Sequence, residues 1–397
     1  MTGLPAVFVK ERRARPFFYG HPWVFSGAIE RVEGKPRNGD TVDVFDAQGG
    51  FIARGFYNSR SQIRVRLLTW DQTQEIDAAF FLERIRRAEE LRSSLPCLRD
   101  TTALRLVFGE SDELSGLVVD RYDEFLVVQY LSRGMDRHRQ EITNALVAVT
   151  SPKGIYERSD VRVRQKEGVT EVTAHRWGEA PPDEILITEN GLRFAVDIKG
   201  GQKTGFYLDQ RENRATVARY ARGRRVLDCF TYSGAFAITV RALGHSGTVR
   251  AIDSSAGALA LAARNAALNH LNGIEWVQDD AFAALRRHVS QGERFGMVIL
   301  DPPKFAYSRS EVPSALRGLK DISLHGLRLL EPGGILVSCS CSQHISAEAL
   351  MDAINEAAVD ARRTVRILEQ RGQAPDHPVI SSCPQTAYLK CLICYVE

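Results

Sequence analysis

The chain has 397 residues, of which 44% are hydrophobic and 25% are charged, and its formal net charge is +3. This length exceeds what one hydrophobic core usually organises, so two or three domains are expected. No segment approaches the roughly 20 uninterrupted apolar residues that cross a bilayer, and the N-terminus lacks the order of a secretion signal, so a cytoplasmic location is expected.

Residues 1–72 predict a small, strand-rich module with a basic character. Its predicted strands are 7–9, 42–45, 50–56 and 63–68. Residues 1–70 contain eleven Lys and Arg against six Asp and Glu. This surplus would attract a polyanion, although a merely solvated basic face is an equal alternative. The aromatic residues between the arginines could stack on RNA bases or belong to the core; they are Phe17, Phe18, Tyr19, Trp23 and Phe25.

The middle of the chain predicts a connecting helix and then a compact mixed unit. An amphipathic helix is expected at 75–91, within a connector of residues 73–100. The mixed unit occupies 101–182, and a hairpin follows at Asn190-Gly191, a strong two-residue turn signal. The predicted strands of the mixed unit are 104–108, 117–119, 125–130, 154–158 and 170–173, and its predicted helix is 137–149.

Residues 183–397 predict an α/β domain with a doubly wound sheet, because strands and helices alternate regularly after Arg224. The predicted strands are 225–230, 248–252, 274–277, 296–300 and 334–340. The predicted helices are 234–243, 256–269, 281–288, 312–330 and 347–358. A last strand at 387–395 has no room for a crossover helix before it and could pair antiparallel.

Acidic residues lie at the ends of the first four of these strands, namely Asp228, Asp253, Asp279-Asp280 and Asp301. Ligands of an open parallel sheet bind at the carboxyl ends of its strands. Asp253 could accept hydrogen bonds from ribose hydroxyls, and Asp280 from an adenine amine. Each acid alone could also be a helix cap or the start of a loop, but four acids at four successive strand ends indicate a nucleoside-like ligand.

The turn after the first of these strands favours S-adenosylmethionine over NAD. It runs from Asp228 to Gly234 with small residues, so that the backbone near Tyr232 and Gly234 can approach a ligand closely. The G-x-G-x-x-G run that accommodates a pyrophosphate is absent. A sulfonium nucleoside carries no phosphate and suits a turn with an acidic residue.

Several segments resemble those of the PUA-domain-containing large-subunit ribosomal RNA cytosine-5 methyltransferases, across essentially the whole chain. They are 20–26, 203–214, 228–234, 253–269, 301–305 and 340–342. The resemblance implies an RNA-binding PUA domain at 1–72, a central β-β-α-β-β domain, and a C-terminal Rossmann-like domain of seven strands that binds S-adenosylmethionine. It also implies 23S ribosomal RNA as the partner, leaves a homodimer open, and places Tyr207, Gln210 and Arg211 along the cofactor.

Methylation at carbon 5 of cytosine needs a thiolate that adds to carbon 6 and makes carbon 5 nucleophilic. Cys341 follows the fifth strand and matches the nucleophile position of the family, whereas Cys339 lies deeper in the strand and is expected to be packed. Asp301, in a stiff Asp-Pro-Pro turn, would hold the ring nitrogen or amino group of the base. A small buried hydrophobe and a structural turn are the respective alternatives.

One departure from related enzymes keeps other functions open. Many RNA cytosine-5 methyltransferases carry a second cysteine beside this turn, where Lys304 stands here. The base that removes the carbon 5 proton is therefore unassigned. Because Phe305 follows, an amino-nitrogen RNA methyltransferase is the alternative, and a non-catalytic RNA-binding protein with a vestigial pocket is a third.

The seven cysteines are an odd number in apolar contexts, so reduced thiols are expected rather than disulfides. Cys391-x-x-Cys394 lies within an apolar run and lacks a partner pair with ligand spacing. We therefore interpret it as part of a buried strand and expect no metal site.

Overall fold

The computed structural model describes residues 3–397 and divides into two compact units. The first unit comprises the residues up to Ile187, Val196–Leu208 and Pro375–Thr386. The second comprises Thr188–Ala195, Asp209–Ala374 and Ala387–Glu397. Among the described residues, no helix combines the length and the apolar character that spanning a membrane requires.

The N-terminal part of the first unit is a six-stranded sheet with one short helix. Its elements are β1 (Ala6–Val9), α1 (Glu11–Phe18), β2 (Trp23–Phe25), β3 (Ile29–Glu33), β4 (Thr41–Phe45), β5 (Phe51–Tyr57) and β6 (Ile63–Thr69). The sheet order is β2-β6-β5-β4-β1-β3, with β1 parallel to β4. Alternate residues such as Val7, Val9, Val42 and Val44 form its core. The four predicted strands are present, but α1, β2 and β3 were not predicted.

The rest of the first unit is a second sheet covered by helices. Its elements are α2 (Ala78–Ser94), β7 (Ala103–Phe108), β8 (Leu117–Tyr122), β9 (Phe125–Tyr130), α3 (Arg133–Arg137), α4 (Arg139–Thr150), β10 (Gly154–Arg158), α5 (Val163–Lys166) and β11 (Thr173–Gly178). The sheet order is β11-β10-β9-β8-β7. Three strands, β7 to β9, precede α3 and α4, so the β-β-α-β-β order implied by the resemblance lacks one strand. Phe81 and Ile85 of α2 are fully buried in the core shared with this sheet.

A two-stranded hairpin follows, formed by β12 (Ile185–Glu189) and β13 (Leu192–Val196). Its turn residues Asn190 and Gly191 have φ values of 52° and 76°. Positive φ at both central residues is what a tight hairpin turn requires, and Asn-Gly provides it at low cost. The predicted turn is confirmed.

The second unit contains a seven-stranded, mostly parallel sheet. Its elements are α6 (Arg211–Arg219), β14 (Val226–Cys229), α7 (Ala235–Ala242), β15 (Val249–Asp253), α8 (Ala256–Leu268), β16 (Ile274–Gln278), α9 (Ala281–Ser290), β17 (Phe295–Leu300), α10 (Val312–Leu329), β18 (Leu330–Ser340), α11 (Ala347–Ala361), β19 (Val365–Arg371) and β20 (Lys390–Val396). The order is β16-β15-β14-β17-β18-β20-β19, and β20 is antiparallel to both neighbours. The doubly wound α/β fold and the antiparallel last strand are confirmed.

Both faces of this sheet are covered, because neighbouring residues of each strand point to opposite sides. Leu227 of β14 packs in a core with helices α9, α10 and α11. The preceding Val226 packs in a separate core with residues of α7. The candidate site lies at the carboxyl ends of the parallel strands, beyond these two cores.

Candidate active site

The carboxyl ends of the parallel strands share one edge of the second unit's sheet. Cys229 at the end of β14 pairs with Ile252 of β15 and with Leu300 of β17, and Leu300 pairs with Ser338 of β18. The residues just past these strands must therefore emerge side by side. This register brings Asp228, Asp253, Asp301 and Cys341 to a single edge, as the sequence predicted from topology.

The loop after β14 is a sharply bent backbone. Phe230, Tyr232 and Gly234 have φ values of 64°, 49° and 79°. A Cβ atom on Gly234 would lie 2.7 Å from Trp276 Cη2 and 2.9 Å from Ala262 Cβ. Glycine is therefore required at this position both for its backbone conformation and for the space it leaves.

Asp228 is buried beneath this loop. Its Oδ2 accepts hydrogen bonds from Thr231 Oγ1 (2.5 Å) and from the backbone N–H of Ala237 (3.2 Å). Burial raises the pKa of Asp228 to about 7, and the nearby carboxylates of Asp301 and Asp253 act in the same direction, against these two hydrogen bonds. The carboxyl group therefore titrates near neutral pH, where a ligand's charge can shift it.

Asp253, at the end of β15, is hydrogen-bonded to the turn that follows β14. Its Oδ2 accepts the backbone N–H of Tyr232, and its Oδ1 accepts the backbone N–H of Ser255, each at 2.9 Å. A carboxylate has about four lone-pair positions, so these bonds leave capacity for ligand hydroxyls. The side chain is half-buried.

The acidic pair after β16 has a structural role in this unit. Asp280 is exposed and caps α9, its Oδ1 accepting the backbone N–H of Ala283 at 2.9 Å, while Asp279 forms an ion pair with Arg287. The helix-cap alternative is thus realised for Asp280, and its proposed contact with adenine stays a prediction. Beside it, the Phe282 ring lies 6.1 Å from Phe230 and 6.0 Å from Phe305.

Asp301 follows β17 and is held by a buried amide. Gln210 donates from Nε2 to Asp301 Oδ2 at 3.1 Å. The orientation of that amide is set by Asn213, which donates from Nδ2 to Gln210 Oε1 at 2.6 Å. Gln210 is 2% exposed, so its hydrogen bond to the carboxylate of Asp301 is donated from the protein interior.

The other two residues that the resemblance placed along the cofactor have different hydrogen-bond partners. Arg211 begins α6, is fully buried, and donates from Nε to Glu212 Oε1 at 3.3 Å. Tyr207 belongs to the first unit, where its hydroxyl donates to Gln202 Oε1 at 2.6 Å and the ammonium of Lys203 lies 4.1 Å from its ring centroid. Their cofactor contacts stay predictions.

Cys341 is the residue directly after β18 and is half-buried. The next residue, Ser342, accepts the backbone N–H of Ala306 on its Oγ at 3.3 Å. This bond ties the cysteine loop to the turn that carries Asp301. Cys339, by contrast, is fully buried and pairs in register with Cys391, and its pKa is raised by hydrogen bonding to that thiol and by burial.

Comparisons with known proteins agree with this geometry. Residues 7–70 match a PUA-like domain, and residues 111–394 match the S-adenosylmethionine-dependent methyltransferase family. A protein named ribosomal RNA large subunit methyltransferase I from Tolumonas auensis is 45% identical over 98% of both chains. The protein of that name from Erwinia tasmaniensis is 44% identical over 97% of both chains.

The chain belongs to the S-adenosylmethionine-dependent methyltransferase family. The structure of SMU.776, solved in complex with SAH, has the same fold, with 21% identity, a TM-score of 0.86, and coverage of 98% of this chain and 99% of that chain. The PUA-like domain, the methyltransferase domain and the S-adenosylmethionine cofactor expected from the sequence are confirmed.

The strand ends of this methyltransferase fit its cofactor. Ser233 is 1% exposed, and its Oγ has no hydrogen-bond partner among residues 3–397. A buried hydroxyl without a partner is costly unless a bound group satisfies it. Together with the spare lone pairs of Asp253, it makes a polar cradle at the Tyr232–Gly234 turn that suits a nucleoside without a phosphate.

Sequence reasoning missed two features of the methyltransferase site. Ser233 lies inside the turn that the sequence indicated, but the lack of a hydrogen-bond partner for its hydroxyl is visible only once the packing around it is known. Lys390 carries no signal of a role in the sequence, because its place beside Cys341 depends on the antiparallel register of β20. The buried-strand interpretation of Cys391 and Cys394 is confirmed, since both are fully buried in β20.

Proposed function

We propose that this methyltransferase acts on carbon 5 of a cytosine in 23S ribosomal RNA, through a covalent bond between Cys341 and carbon 6. The observation that carries the proposal is that a half-buried cysteine and a carboxylate lie at the same edge of the sheet. Cys341 and Asp301 follow adjacent parallel strands, and the bond between Ala306 and Ser342 couples their loops.

The proposed roles follow from the chemistry of the base. The thiolate of Cys341 adds to carbon 6, and the electron pair of the carbon 5–carbon 6 double bond is displaced towards carbon 5. Asp301 accepts a hydrogen bond from the amino group, or donates to ring nitrogen 3 when protonated. S-adenosylmethionine, when bound, supplies the electrophilic methyl group. Loss of the proton from carbon 5 then restores the double bond and releases the Cys341 thiolate.

The cofactor contacts proposed for this chain are the groups at the strand ends. They are Asp228, Tyr232, Gly234, Asp253, Asp280 and Asp301, with Tyr207, Gln210 and Arg211 from the segment that resembles the family. Support comes from the bent turn, the unpaired Ser233 hydroxyl and the near-neutral pKa of Asp228. We propose the domain boundaries 1–72, 73–100, 101–182 and 183–397.

An RNA substrate is supported by the surface of α1. Arg12, Arg13 and Arg15 are all exposed, as are Phe18 and Tyr19 at the end of the helix. The Arg15 guanidinium lies 5.6 Å from the Tyr19 ring centroid. Cations next to exposed aromatic rings suit phosphates and unstacked bases.

The name of the relatives, ribosomal RNA large subunit methyltransferase I, supports ribosomal RNA as the substrate. Phe17, in contrast to its neighbours, is buried and belongs to the core.

A cytoplasmic location and a homodimer stay predictions, and light scattering of the purified chain measures its oligomeric state.

The direct test uses labelled S-adenosylmethionine and 23S ribosomal RNA that lacks modifications. We expect label as 5-methylcytosine with the wild type and with Cys339→Ala, and none with Cys341→Ala. RNA that contains 5-fluorocytosine should form a denaturant-resistant complex with the wild type, because fluorine at carbon 5 cannot leave as a proton does. Label on an exocyclic amine that is indifferent to Cys341 would establish the amino-nitrogen alternative instead, and failure to bind the cofactor would favour the vestigial-pocket alternative.

A further inference from the structure

Lys390 lies beside the proposed nucleophile. It is the first residue of β20 and pairs in register with Ser340, the residue before Cys341. Its Nζ donates to the backbone carbonyl of Ser342, the residue after Cys341, at 3.0 Å, and to the carbonyl of Tyr388 at 3.0 Å. The ammonium is therefore anchored across the short loop that presents the cysteine.

The ammonium of Lys390 has no ion-pair partner. Among residues 3–397, no carboxylate lies within 4.0 Å of its Nζ, although the side chain is half-buried. Partial desolvation of the ammonium costs free energy, which hydrogen bonds and a nearby anion can offset. The two carbonyls offset part of this cost, because they accept hydrogen bonds from the ammonium and so favour the charged form.

Three other charged or titratable groups face this ammonium. Burial lowers the pKa of Lys390, and the Lys304 ammonium of the Asp-Pro-Pro turn acts in the same direction. The Cys341 thiolate and the Glu348 carboxylate of α11 raise it. Glu348 is exposed and therefore screened by water. The thiolate of Cys341 is thus the anion best placed to balance the two lysines.

We propose that Lys390 stabilises the thiolate of Cys341 and so increases the fraction of enzyme that carries a nucleophilic sulfur at neutral pH. The thiol proton passes to solvent, and Lys390 remains an ammonium, the form that the hydrogen bonds to the carbonyls of Ser342 and Tyr388 favour. Lys390 is a positioning residue, since it acts through Cys341. The catalytic consequence of this inference rests on the proposed function, in which that sulfur attacks the base.

The test measures the pH dependence of Cys341 alkylation by iodoacetamide, followed by peptide mass spectrometry. Five of the seven cysteines are buried, and Cys97 is the other half-buried one, so a Cys97→Ala background isolates Cys341. Only the thiolate reacts, so the midpoint of the rate profile reports its pKa. In this background the midpoint should lie below the ordinary cysteine value of about 8.5.

Matched variants assign that shift to one charge. Lys390→Gln should raise the midpoint by about one pH unit, which is the shift expected for a neighbouring cation. The rate at pH 6.5 should fall by only about threefold, because the more basic thiolate is more nucleophilic. Lys390→Arg should keep the background midpoint, and so should Lys320→Gln, which removes a remote lysine paired with Glu356 and Asp360.

A midpoint in Lys390→Gln within 0.2 units of the background would overturn the inference. A background midpoint at or above about 8.5 would also overturn it, and this second measurement does not depend on the variant folding. The proposed function fails separately: if Cys341→Ala still methylates RNA, the cysteine mechanism is wrong even when alkylation shows a stabilised thiolate.

Discussion

The side-chain amide of Gln210 holds the carboxylate of Asp301, with 3.1 Å between Nε2 and Oδ2. The resemblance to the family places Gln210 along the cofactor, whereas the structure gives it a partner in the proposed catalytic pair. Because Asn213 occupies the amide oxygen, the nitrogen must face Asp301. These two roles predict different kinetic results.

If Gln210 acts by holding Asp301, Gln210→Ala should lower kcat while leaving SAH affinity unchanged within about twofold. A hydrogen bond to a charged group contributes about 1.5–3 kcal/mol, so the loss in kcat should be tenfold or more. Rates are measured by label transfer and affinity by calorimetry, with the exposed Gln291→Ala as control. Affinity that falls in step with the rate would instead identify Gln210 as a cofactor contact.

Gly234→Ala should destabilise the protein and abolish SAH binding. Its Cβ would meet Trp276 and Ala262 at distances below 3.0 Å, in addition to the strain of a positive φ. Gly223 is the matched control, since its φ is +69° but nothing lies within 4 Å of an added Cβ. Urea unfolding should show a loss of about 1 kcal/mol for Gly223→Ala and about 1–3 kcal/mol more for Gly234→Ala. Equal losses would show that the crowding around Gly234 relaxes.

Asp228→Asn should change how stability depends on pH. The folded pKa of Asp228 is about 7, above its unfolded value of about 3.9, so the folded state binds the proton more tightly. Its contribution to the free energy of unfolding is therefore full below about pH 4 and is lost as pH rises to about 7. The total change is of order 4 kcal/mol at most.

The asparagine variant removes this titration and keeps an oxygen acceptor for Thr231 and Ala237. Urea unfolding of both proteins without cofactor, at intervals between pH 4 and pH 8, measures the difference. The stability of Asp228→Asn relative to the wild type should increase with pH across this range. A difference that is independent of pH would contradict a raised pKa.

Arg214 and Glu189 form an ion pair that is almost completely buried in the second unit. Nε donates to Oε1 at 2.8 Å and Nη2 to Oε2 at 2.7 Å, and each side chain is 1% exposed. Arg214→Leu should lower the free energy of unfolding by about 3–5 kcal/mol, because it leaves a buried carboxylate unpaired. The double variant with Glu189→Leu should recover a large part of that loss. If the double variant is as unstable as the single one, packing rather than charge explains the effect.

Most of the second unit could be predicted because its signals are local. Apolar strands such as 296–300 alternate with helices, and an acid stands where each of the first four strands ends, so the shared edge follows from topology alone. In the first unit, the missed elements carry weak signals. In β3, Ile29 is half-buried and the other four residues are exposed, and α1 has eight residues with Pro16 inside it, so neither shows a clear period.

Partnerships across long sequence distances could not be predicted. Gln210 and Asp301 are 91 residues apart, and the amide is fixed by Asn213 rather than by any neighbour of the aspartate. Lys390 reaches Cys341 only because β20 runs antiparallel with a particular register. A shift of that register by one residue would turn the lysine to the other face of the sheet, and the local sequence does not determine it.

The position of β20 has a consequence for biosynthesis. This strand lies between β18 and β19, yet it follows all the other strands of its sheet in the chain, so a ribosome releases it last. Until it emerges, β18 lacks one neighbour and Cys341 lacks Lys390. A nascent chain therefore carries an incomplete candidate site throughout its elongation, and competence for methyl transfer should arise only after the final strand has inserted.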